Sequence, residues 1–148
     1  MSSFRSFVAG VLIAVCAALE QGGAAPEDKV TVEVDMFSGR PNPTWTMASG
    51  DARATVTMLD RLLRTTPGTV EERLGYRGTI IRVNKIAWRV FRGQAIESAS
   101  GLWKADEGRK LERFALASGK SILDPDLYKT ILKEAGFDSG NAEEKHED

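Results

Sequence analysis

A chain of 148 residues, 42% hydrophobic and 28% charged, holds enough apolar material for one core, which excludes an overall disordered polymer. Its 20 basic and 21 acidic side chains leave a net charge of -1. That balance excludes a broad field of one sign, so neither nucleic acid nor an anionic membrane surface is an expected partner.

Residues 1–25 read as a secretory signal peptide. Arg5 supplies the positive start, Phe7 to Leu19 is apolar, and a small-residue segment ends at Ala24 and Ala25. The apolar run is shorter than the roughly 20 residues of a membrane span, so the mature protein is expected to have none. The expected location is secreted or periplasmic. The one cysteine, Cys16, lies in the apolar run. Acylation there is the lipid-anchored alternative, although Val15 is bulky where a small residue is wanted. After cleavage no cysteine remains, so the core alone must hold the domain.

A single domain is expected over residues 26–138. Val30, Val32, Val34 and Met36 alternate with Thr31, Glu33 and Asp35, the period of a half-buried strand. Phe37-Ser38-Gly39 breaks it, and Arg40-Pro41-Asn42-Pro43 is stiffened by two fixed φ angles. Thr44 to Met47 resumes alternation as a short edge strand. Ser49 is placed to cap a helix running from Asp51 to Thr65, with Ala52, Val56, Leu59, Leu62 and Leu63 on its apolar side. Thr66-Pro67-Gly68 ends it. Val70 to Leu74 suits a helical turn, and glycines flank Tyr76 and Arg77. Thr79–Val83, Ile86–Phe91 and Ala95–Ser98 form an antiparallel meander. Ala99 to Trp103 reads as a loop. Asp106 is placed to cap a second helix ending near Gly119. Asp124, Pro125 and Gly136 bracket a third. Residues 139–148 read as a disordered charged tail. The expected fold is α+β, a small antiparallel sheet of about four strands packed by three helices.

The residues available for chemistry are few. The single histidine, His146, lies in the tail, which removes the usual general base from the domain. Nitrogen and sulfur ligands for zinc are missing, as are the phosphate-cradling and dinucleotide glycine patterns. No cofactor and no metal are expected. Glu33 and Asp35, two apart on a strand, share a face roughly 7 Å apart. They are candidates for the acid and base pair of a hydrolase, a carbohydrate-directed one among the options, or for cation ligands. As a solvated strand face they need no function. Arg40 and Asn42 in the stiff loop, with Trp45, Tyr76 and Arg77, are the candidate ligand contacts: a guanidinium fork for an anion and aromatic faces for a sugar or peptide. Trp88 reads as core and Trp103 as the most exposed of the three tryptophans.

The segments FSGRPNPTW (Phe37 to Trp45) and GYRG (Gly75 to Gly78) together resemble a group of small secreted bacterial proteins that share F-S-G-R-x-N-P-x-W and G-Y-R-G. The segment from Ala105 to Leu116 has the look of the same group. The resemblance implies secretion and a shared fold. It brings no activity and no ligand. The expected function is therefore a non-catalytic binding module for a protein, peptide or glycan, with the carboxylate hydrolase and an envelope-associated structural protein as alternatives.

Overall fold

The computed structural model describes residues 27–70 and 74–137. The expected signal peptide with Cys16, the tail with His146 and part of the Val70 to Leu74 turn lie outside them. Six strands build one antiparallel sheet: β1 (Val30–Val34), β2 (Thr44–Thr46), β3 (Thr79–Val83), β4 (Ile86–Phe91), β5 (Gln94–Glu97) and β6 (Trp103–Ala105). Their order is β2-β1-β3-β4-β5-β6. Three helices complete the α+β fold: α1 (Ser49–Arg61), α2 (Lys110–Ala117) and α3 (Pro125–Ala135). The expected count of about four strands is too low. The expected short edge strand at Thr44 to Met47 is β2; the strand with no sequence signal is β6, three residues long and too short to show an alternation of its own. The chain from Trp103 is strand because Ala95 pairs with Lys104 and Ile96 with Trp103, not because of local propensity.

The alternation of β1 divides the sheet into two faces. Val30, Val32 and Val34 have no exposed surface, and register brings Ile81, Thr79 and Val90 to the same side. Ala52 and Leu59 of α1, Leu111, Ala115 and Leu116 of α2, and Ile131 and Ala135 of α3 join this core. Each large aliphatic side chain buried there contributes about 1.5–3 kcal/mol. Thr31, Glu33, Ile80, Arg82, Ala87, Arg89 and Ile96 alternate to the other face and are half-buried. Ile80, Ile96 and Trp103 stand outside the core cluster.

The element ends follow from specific hydrogen bonds. Ala48, not Ser49, precedes α1, and no side chain caps it. Its apolar spacing continues through Leu63, yet the helix stops at Arg61. Leu62 turns extended, and the chain beyond lies along β6: Ala105 N donates to Leu63 O and Thr65 N to Trp103 O, both at 2.9 Å. The buried Asp106 carboxylate accepts from Leu111 N (2.9 Å) and Glu112 N (3.0 Å), fixing the start of α2 after a single 3-10 turn. Asp124 accepts from Asp126 N and Leu127 N, Pro125 opens α3, and Gly136 closes it at φ 75. α2 ends at Ala117, just before Gly119 as expected, and the φ of Gly119 is not positive. A Cβ there would come 2.8 Å from Cζ2 of Trp45, so its smallness makes room for an indole.

Candidate functional site

The polar face of the sheet is organised around Glu33 and Asp35. The strand period sets them on one side, and the loop that follows folds back over them. Asn42 is the rivet of that loop. Its Oδ1 accepts from Met36 N (3.2 Å) and Phe37 N (3.0 Å), and its Nδ2 donates to Glu33 Oε1 (3.0 Å). Gly39 permits the turn at φ 86. Arg40 is exposed at the tip, with its guanidinium 3.5 Å above the Phe37 ring.

Basic side chains meet the acids from the neighbouring elements. Arg82 of β3 donates from Nη1 to Glu33 Oε2 at 2.7 Å. Arg89 of β4 donates from Nη1 to Asp35 Oδ2 at 2.8 Å and to Arg77 O at 3.1 Å. Arg77 donates from Nε to Asp35 Oδ1 at 3.1 Å and from Nη2 to Phe37 O at 3.2 Å. Gly78 lets these strands close up, because a Cβ there would come within 3.2 Å of Phe91 Cβ. The Asn42 hydrogen bond, followed by the Arg82 contact, outweighs burial and holds the Glu33 carboxyl below its usual range. Burial pushes Asp35 up, but its bonds to Arg77 and Arg89 outweigh that, and the net shift is downward. Neither group retains a proton near neutral pH, whereas a general acid needs a raised pKa. Among the described residues no group of three or more His, Cys, Asp or Glu is arranged to hold a metal.

The five candidate ligand contacts divide. Arg40 and Arg77 lie at the loop and the polar face, and Asn42 is engaged in holding the loop. Trp45 and Tyr76 turn the other way, which corrects the expectation that they meet a ligand. Trp45 is 4% exposed, and its Nε1 donates to Ser118 Oγ at 2.9 Å. Tyr76 is 6% exposed; its hydroxyl donates to the buried Glu112 carboxylate and shares a 2.8 Å hydrogen bond with Thr79 Oγ1. Burial and the adjacent Glu112 charge push its phenol pKa up. Arg109 donates to the other Glu112 oxygen at 2.8 Å and to Ala135 O at 2.7 Å, joining α2 to the end of α3. Both aromatic rings are fastenings of the core.

Arg82 and Arg89 are the residues that sequence reasoning missed. Each occupies the polar phase of an alternating strand, and that was their only signal. Strand pairing converts the signal into a surface. Glu33 pairs with Ile80, Ile80 with Arg89, Arg89 with Ile96 and Ile96 with Trp103, a single row across five strands. Within the network the acids lie deepest. The side chains of Asp35 and Glu33 are 13% and 22% exposed, those of Arg77, Arg89 and Arg82 29%, 32% and 42%.

A concavity of about 440 Å³ opens on the helix side between Met58 and Leu62 of the α1 end and Lys110 of α2. Its lining charges cancel, Arg61 and Lys110 against Asp106 and Glu107, and Asp106 is held by backbone N–H groups. No family model, curated protein or solved structure matches the chain. No helix among the described residues is long and apolar enough to cross a membrane.

Proposed function

We propose that the protein is a secreted, non-catalytic binding module that meets its ligand with the helix-free face of its sheet and the adjoining loop at Arg40. One observation carries this reading: the acids of that face lie beneath the arginines, next to Ile80, Ile96 and Trp103, which stand outside the core. A solvated structural face has no need of a half-buried tryptophan outside the core beside a cationic surface. The hydrolase alternative loses support from the same contacts, because Glu33 and Asp35 are held ionised by their partners.

A glycan and peptide array tests the reading. It is probed with the wild type, Arg40→Ala, Arg82→Gln on the polar face and Lys110→Gln on the helix side. Signal lost in Arg82→Gln and kept in Lys110→Gln is the expected result. A ligand that both variants bind as well as the wild type would place the contact elsewhere.

A further inference from the structure

We infer that the ligand of the helix-free face is an acidic polysaccharide, a chain of uronic acid units; this rests on the binding reading above. Three features of the face select that chemistry. The first is the unused donors of its arginines. Arg82 bonds Glu33 through Nη1, and Arg89 makes both of its bonds through Nη1. Among the described residues, Nε and Nη2 of each have no partner. A guanidinium with a free edge takes a carboxylate bidentately. With Glu33 and Asp35 underneath and already neutralised, an incoming anion meets cations first.

The second feature is the apolar continuation of the row. Ile96 and Trp103 follow Arg89 across β5 and β6. Trp103 stands two strands from Arg89, about 10 Å at the usual strand spacing. A ligand covering both must carry an anion and a flat apolar surface in succession. Pyranose rings bearing carboxylates do so, since the C–H face of a sugar stacks on an indole. An acidic peptide has the charges without the flat rings.

The third is that a sheet face offers side chains and no free backbone groups. A peptide adding itself as a strand needs an edge.

Isothermal titration of the full chain with polygalacturonate, its methyl ester and poly-glutamate tests the assignment. Polygalacturonate is expected to bind at low salt and to weaken as added salt shortens the screening length to about 10 Å near 0.1 M. The uncharged ester is expected to fail. Arg82→Gln should weaken binding about tenfold, the size of one charged hydrogen bond, and Arg82→Lys should restore it only in part. Trp103→Phe, which keeps a ring in the row, should bind more tightly than Trp103→Ala. Lys110→Gln should leave binding unchanged. Equal binding of poly-glutamate, or none of polygalacturonate, overturns the sugar assignment. If array ligands of another class are lost in Arg82→Gln, the face reading survives that failure. If Lys110→Gln weakens polygalacturonate as much as Arg82→Gln does, both readings fall.

Discussion

Asp35 carries more of the polar face than any other side chain, since Arg77 and Arg89 both converge on it. Asp35→Asn would leave two guanidinium groups facing each other over a neutral amide. A loss of about 1–3 kcal/mol in urea denaturation at neutral pH is expected. The pH dependence follows from direction alone. With its folded pKa below the unfolded value, Asp35 stabilises fully above about pH 4 and loses that contribution as pH falls through the folded value. Glu33 acts in the same sense. The urea midpoint of the wild type should therefore drop on acidification, and that of Asp35→Asn should drop less. Tyr76→Phe is a second single-atom test. It removes one partner each from Glu112 and Thr79, both without exposed surface, and should cost about 1–3 kcal/mol in the same assay. At this scale the sequence is ambiguous for aromatic residues. Tyr76 follows a glycine and Trp45 stands in a strand of three residues, so nothing local fixes which way either ring turns. Their partners, Ser118 and Glu112, lie 73 and 36 residues away. Glu33 and Asp35 were legible as a same-face pair because strand period is local.

Among the elements, legibility follows the range of the interactions that define each one. The start and stop of α3 are written in Asp124, Pro125 and Gly136, all within its own ends, and the structure has them where the sequence does. The end of α1 is not local. Its apolar spacing runs on past Arg61, but the hydrogen bonds offered by β6 draw Leu63 to Thr65 into an extended path. For the same reason β6 itself was invisible, since each of these two segments is held by a partner remote in sequence. The junction of β2 with the end of α2 is also tertiary, and it makes a sharp test. Gly119→Ala puts a methyl group into the Trp45 ring at 2.8 Å. The indole must shift from Ser118, so a loss of about 1–3 kcal/mol is expected, with a change in tryptophan emission as Nε1 loses its acceptor. Unchanged stability and emission would show that the ring has another place to go.

For the whole molecule, the α+β class and the one-sided helix layer were readable from the order of periodic segments. Which polar residues share a surface was not, because that depends on strand order and register. Arg82 and Arg89 sit in separate stretches of alternation, and only the pairing of β1 with β3 and β3 with β4 brings them over Glu33 and Asp35. The two margins of the sheet also differ. Leu63 to Thr65 cover β6, whereas β2 has no strand beyond it among the described residues. Endless edge-to-edge stacking requires two unprotected margins on each molecule, so that every copy can both receive and donate a neighbour. Among the described residues this sheet has one, three residues long and preceded by Pro41 and Pro43. Pairing through it stops at two copies related by a two-fold axis, and a fibre cannot grow that way.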